Sequence, residues 1–140
     1  MAYDIEKVDV WHGAIQDRPG GLADVVEPLA EAGANLEFVF ARQDSKGKGL
    51  IFVSPLKGAA VIRAAKRLRL SRNAKLAYIR IKGLDQKGLG ARITRALGDA
   101  GINMVGLAAG AHSGKSMCYL EFAKADAAKA RRVLAKALNG

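Results

Sequence analysis

Residues 109–116 read Ala-Gly-Ala-His-Ser-Gly-Lys-Ser, the spacing of a permissive phosphate-binding loop. Such a loop needs a strand before it and a helix directly after, so that backbone N–H groups and the helix terminus face the phosphates. Here Ser116 leads into Met117-Cys118-Tyr119-Leu120-Glu121-Phe122, a short apolar and aromatic run that predicts a strand. The segment His112–Lys115 therefore predicts a hairpin turn, not a nucleotide site. Other reactive residues are sparse. His12 and His112 stand at unrelated positions without a Ser or Cys partner in a known spacing, which predicts structural or exposed roles. Cys118 is the only cysteine, so it can make neither an intramolecular disulfide nor a cysteine metal site by itself. Its place in an apolar strand predicts a buried small hydrophobe. No spacing of His, Cys, Asp or Glu suggests a metal or any other cofactor. The residue chemistry points away from an enzyme.

The elements that would position a binding site are more informative. A chain of 140 residues, half of them apolar, suffices for one ordinary domain or two very small ones. The start lacks a basic-then-apolar leader pattern, and no apolar run approaches the roughly 18 residues of a membrane span. A cytoplasmic protein with no membrane partner is expected. The net charge of +10 is unevenly spread: residues 1–44 carry a net of −6, residues 45–84 carry eleven bases and no acid, and residues 85–140 carry +5. A basic middle can attract nucleic acid, anionic metabolites or the acidic third of another copy. RNA-recognition domains with a similar layout expose aromatic rings on their sheet. Trp11, Phe38, Phe40 and Phe52 cluster early in the chain, but the later strands have no matching rings, so nucleic acid is disfavoured.

An internal repeat organises the chain. Residues 17–36 and 85–104 align at an offset of 68: Asp17 meets Asp85, Gly20 meets Gly88, Ala23 meets Ala91, Leu29 meets Leu97, Ala32-Gly33 meets Ala100-Gly101, and Asn35 meets Asn103. The chain reads as two copies of one unit, residues 1–72 and 73–140. Each copy predicts a strand (Val8 to Ile15; Leu76 to Ile81), an Asp/Gly turn and a helix. The apolar face of that helix is Leu22, Val25, Val26 and Leu29 in copy one, and Leu89, Ile93, Ala96, Leu97 and Ala100 in copy two. Gly33 and Gly101 predict the helix stops. Two strands around a polar turn follow (Leu36 to Ala41 with Leu50 to Val53; Met104 to Ala108 with Met117 to Phe122), then a second amphipathic helix with basic residues outward. The copy-one partner of the Gly-Lys-Ser turn is another hairpin, Asp44 to Gly49, which again argues against a nucleotide site. A short strand, Arg69 to Arg72, is expected to finish copy one; copy two has no room for its equivalent. Pro28 falls inside the first helix and predicts a kink or break there.

The order of elements, with Asp-Arg-Pro-Gly-Gly-Leu-Ala at the first strand–helix turn and Ala-Gly-Ala-Asn-Leu before the second strand, resembles the ACT domain. Asp-Gln-Lys-Gly-Leu-Gly-Ala and Ala-Gly-Ile-Asn-Met resemble it again in copy two. The resemblance implies an α+β fold: two ferredoxin-like βαββα(β) units, antiparallel sheets with helices on one face. It implies a non-catalytic regulatory sensor that binds a free amino acid or similar small metabolite where two units meet. Output would pass through a homodimer, formed by sheet-edge or helix pairing, or through a partner metabolic enzyme. Asp17, Arg18, Pro19, Gly20, Gly21, Leu22 and Asn35 would form one half-site, and Asp85, Gly88, Leu89, Gly90 and Asn103 the other. Copy two departs by carrying Gln86-Lys87 in place of Arg18-Pro19. Physical chemistry is consistent with such a turn: glycines let a ligand approach the backbone, helix N–H groups suit a carboxylate, and Asp17 can accept from an ammonium. Two alternatives remain, a ligand-free subunit acting by contact and an RNA-binding module.

Overall fold

The computed structural model describes residues 2–140 and contains eight strands and four α-helices. They are β1 (Asp4–Val8), β2 (Trp11–Gln16), α1 (Ala23–Glu31), β3 (Phe38–Ser45), β4 (Lys48–Ser54), α2 (Ala59–Arg67), β5 (Ser71–Arg72), β6 (Leu76–Leu84), α3 (Leu89–Asp99), β7 (Met104–His112), β8 (Lys115–Ala123) and α4 (Ala127–Asn139). A 3-10 turn, Lys124–Asp126, precedes α4. The chain divides into a unit of Asp9–Asn73 and a unit formed by the residues up to Val8 together with Ala74–Gly140.

The Asp9–Asn73 unit has a four-stranded antiparallel sheet in the order β3-β4-β2-β5. Alternation along the central strands sends Trp11, Ile51 and Val53 to one face, where Val25 and Leu29 of α1 and Val61, Ala64 and Ala65 of α2 meet them. Gly13 stands where β2 passes closest to Leu70; a Cβ there would lie 2.6 Å from Leu70 Cδ2.

The second unit repeats the plan in the order β7-β8-β6-β1. Ile79, Ile81, Leu120 and Phe122 face Leu89, Ile93 and Leu97 of α3 and Ala130, Leu134 and Leu138 of α4. Its fourth strand is β1, which lies antiparallel to β6 with Ile5 opposite Ile81. The α+β class and the two antiparallel sheets are as expected, but the expected first unit of residues 1–72 is corrected at its start. The chain before Asp9 belongs to the later unit, because Tyr3 and Ile5 bury their side chains in that core. Accordingly the single strand expected over Val8 to Ile15 is two strands in two different sheets.

Three local expectations are also revised. α1 runs unbroken through Pro28. Proline removes the hydrogen bond to the carbonyl of Asp24, an exposed residue whose backbone water can reach. Leu22 precedes that helix and is exposed instead of lying on its buried face. Arg69 belongs to no strand: it has φ +63 and closes α2, with Arg69 N–H bonded to Lys66 O and Leu70 N–H to Ala65 O. Gly33 and Gly101 close α1 and α3 in the same way, with φ +106 and +71.

Candidate functional site

The phosphate-loop spacing resolves into a hairpin. β7 ends at His112, Ser113 and Gly114 both have positive φ, and Lys115 begins β8. Two successive residues with positive φ make the tight turn that suits a two-residue hairpin. Gly47 occupies the corresponding turn of the first unit. That turn also has two residues, Lys46-Gly47, since Ser45 pairs with Lys48; β3 carries one extra residue, Asp44, as a β-bulge between Gln43 and Ser45. Among the described residues no group of His, Cys, Asp and Glu could hold a metal, and no helix is long and apolar enough to cross a membrane.

The turn between β2 and α1 does border a cleft of about 380 Å³. Asp17, Arg18, Pro19, Gly20 and Leu22 line it, joined by Ile15 and Gln16 of β2, Ala41, Arg42 and Gln43 of β3, and Gly49 of β4. The loop is held by its own backbone: Gly21 N–H donates to Arg18 O at 2.9 Å and Asp17 N–H to Gly47 O at 3.2 Å. Gly20 has φ +86, a left-handed conformation that glycine adopts without strain. Gly21 is required for a different reason. A Cβ there would lie 2.0 Å from Gln16 O, so any side chain forces the loop away from β2.

The charged groups of the cleft differ in freedom. Arg18 is occupied: its Nε donates to Gln16 Oε1 at 2.6 Å and a terminal nitrogen to Asp24 Oδ2 at 2.8 Å. Both partners of that ion pair are more than half exposed, so it orders the loop more than it stabilises the fold. Asp17 accepts a hydrogen bond from the Gln43 amide, which reaches it from β3. Arg42 has neither an ion pair nor a side-chain hydrogen bond among the described residues. The sequence offered no signal for Arg42 and Gln43. They reach the cleft only because β3 and β4 are paired, which brings Gln43 opposite Gly49. The helix terminus is less open than expected, since Asp24 N–H is bonded to Gly20 O and Val25 N–H to Leu22 O.

The structure does not bring the remaining expected residues to this cleft. Asn35 is exposed in the connection between α1 and β3, outside the cleft lining. In the second unit Asp85, Gly88, Gly90 and Asn103 are exposed. Leu89 is only 5% exposed, packs in the core and is not part of the cleft lining. β7 has no Asp, Glu, Lys or Arg, and nothing there corresponds to Arg42.

No protein-family profile and no curated protein sequence matches the chain. Solved structures do match. The regulatory subunit of aspartate kinase from Thermus thermophilus, in a ligand-free form, is 17% identical with a TM-score of 0.67, covering 98% of this chain and 97% of that one. A protein from Bacteroides thetaiotaomicron is 17% identical with a TM-score of 0.77, covering 93% of this chain and 88% of that one. E. coli aspartokinase III in complex with aspartate and ADP is 16% identical with a TM-score of 0.62; the match covers 99% of this chain but 33% of the enzyme. The chain therefore has the fold of the regulatory subunit of aspartate kinase, and its two sequence repeats are the stretches that resemble the ACT domain.

Proposed function

We propose that this chain is a non-catalytic regulatory protein that binds a free amino acid in the cleft between the Asp17–Leu22 loop and β3. The observation that carries the reading is the charge arrangement there. Asp17 and Arg42, which has no ion pair among the described residues, line one cleft of about 380 Å³, a size suited to a small zwitterion. The carboxylate would meet an α-ammonium group, and the guanidinium an α-carboxylate. Ile15, Leu22 and Ala41 add apolar wall for a side chain. The likeness to regulatory subunits of aspartate kinase supports the same reading, and the first partner to test is a catalytic subunit of that kind of enzyme. Binding would act by favouring one arrangement of a homodimer or of such a complex over another.

The test is a thermal-shift screen of the common amino acids at fixed protein concentration. A ligand at about 100 times its Kd adds roughly 2.7 kcal/mol of stability. One chemical class should raise the Tm, and Asp17→Ala and Arg42→Ala should each abolish the shift. One observation favours a second reading, a subunit acting by contact alone: Gln43 already occupies Asp17. No shift with any amino acid, together with co-purification of an enzyme, would establish that reading instead.

A further inference from the structure

A second cleft, of about 500 Å³, lies in the other unit, over the end of β1 and beside the start of α4. Its origin can be read from the pleat of β1. Tyr3 and Ile5 point into the core, and the next residue on that face is Lys7, which is exposed. Across from it α4 begins with Ala127 and Ala128, too small to fill the space. Ile79, the pairing partner of Lys7 in β6, lines the cleft as well.

The polar lining has one sign of free charge. Lys7, Arg131 and Arg132 all line the cleft. Arg131 donates its Nε to the carbonyl of Ile5 at 3.1 Å, which fixes the guanidinium against β1 and leaves both terminal nitrogens as donors. Lys7 and Arg132 have no ion pair among the described residues. The one acid in the lining, Glu6, is taken by Arg80 at 2.9 Å. Three cations drawn around one hollow repel each other unless an anion sits between them.

We propose that this cleft is an anion-binding site for a small molecule with a carboxylate or phosphate group on an apolar body. Lys7, Arg131 and Arg132 hold the anionic group, and the apolar part lies against exposed Ala128, over a floor made by buried Ile79 and Ala127. The site is independent of the amino-acid cleft, which lies in the Asp9–Asn73 unit.

The experiment titrates inorganic phosphate, phenyl phosphate and benzoate into the full chain at 150 mM salt, following the amide signals of Ala127 and Ala128 by NMR. Saturable shifts are expected, with phenyl phosphate tighter than inorganic phosphate because of the apolar floor. The relative strength of benzoate and phenyl phosphate identifies the preferred anionic group. Lys7→Ala with Arg132→Ala should weaken binding at least tenfold, and both residues are exposed, so the fold is retained. Arg63→Ala with Lys66→Ala, on α2, should leave binding unchanged. Equal weakening in the two variants would overturn the proposal in favour of general attraction to a basic surface. So would shifts spread evenly over the basic helices that vanish at this salt.

Discussion

The side-chain amide of Asn139 brackets the backbone of Tyr3: its oxygen accepts from the Tyr3 N–H at 2.6 Å and its nitrogen donates to the Tyr3 carbonyl at 3.0 Å. The last turn of α4 thus fastens the residue that leads into β1; the Tyr3 ring packs over Gly83 and its hydroxyl donates to Leu84 O at 2.8 Å. Asn139→Ala leaves two partly buried backbone groups without partners and is expected to cost about 1–2 kcal/mol. Urea unfolding measures the loss, and hydrogen exchange at Ile5 should accelerate. Deleting residues 2–8 goes further, because it removes Tyr3 and Ile5 from the second core. That unit should then unfold, while the transition reported by Trp11 fluorescence, from the other core, is retained.

Arg69 holds the position at the end of α2 that glycine holds at the ends of α1 and α3. A left-handed conformation costs an L-residue about 1–2 kcal/mol. No hydrogen bond or ion pair of the Arg69 side chain compensates among the described residues. Arg69→Gly is therefore expected to raise stability by about 1 kcal/mol, less the entropy that glycine adds to the unfolded chain. Gly33→Ala should lower stability by a similar amount. Thermal unfolding of the two variants should move in opposite directions.

These two cases show how far the residues could be read before the structure. Gly33 and Gly101 mark helix ends because glycine is the usual solution to a left-handed residue. Arg69 solves the same problem with no compositional signal and so reads as strand. The repeat exposed the common core of both units because its apolar spacing is local. The placement of β1 is not local: Ile5 pairs with Ile81, and nothing in Asp4–Val8 names that partner. The candidate site divides along the same line. Asp17 to Leu22 are contiguous and legible, whereas Arg42 and Gln43 arrive from another strand. The copy-two turn departs from copy one at Gln86-Lys87, and it departs again at Leu89, which stands where copy one has Gly21 and is drawn into the core.

Two ionisable groups of the second unit are held neutral by their surroundings. Burial, and next the charge of Asp85, push the Cys118 thiol up. Burial, and next the hydrogen bond to and charge of Glu121, push Tyr78 up. In the unfolded chain these groups ionise near pH 8.5 and 10 respectively. Above those values the unfolded state has lost protons that the folded state keeps, so stability falls as pH rises. The contribution is complete below about pH 8 and declines through the alkaline range. Unfolding free energies measured between pH 8 and 10 should show this slope, and Cys118→Ala should make it shallower. Cys118 in the folded protein should also resist alkylation.

The outer strands of the two sheets leave equivalent aliphatic side chains uncovered: Val39 on β3 is 49% exposed and Leu107 on β7 is 51% exposed. Each strand exposes a second large apolar side chain, Phe40 on β3 and Val105 on β7, but β7 is the less protected: β3 carries Arg42 and Asp44, whereas β7 has no Asp, Glu, Lys or Arg to discourage pairing at its free edge. If the homodimer forms through a sheet edge, β7 is the edge to alter. Leu107→Lys should convert a dimer to a monomer in light scattering after size exclusion, with the monomer still unfolding cooperatively but without the concentration-dependent part of the stability that dimerisation adds. A dimer that survives this substitution pairs elsewhere.

Gly21→Ala tests whether the shape of the β2–α1 loop matters to the cleft. The added Cβ would sit 2.0 Å from Gln16 O and 3.2 Å from Arg18 O, both backbone atoms that cannot move aside alone. The loop must shift outward, which overpacking data place at about 1–3 kcal/mol. Asp17 then moves with the loop, while Arg42 stays with β3. The two charges would no longer stand in the arrangement that we propose for a zwitterion. We expect the variant to remain folded with a lower Tm and to lose the amino-acid-dependent rise in Tm. A variant that loses stability but keeps the full rise would show that the ligand is held by β3 and β4 without the loop.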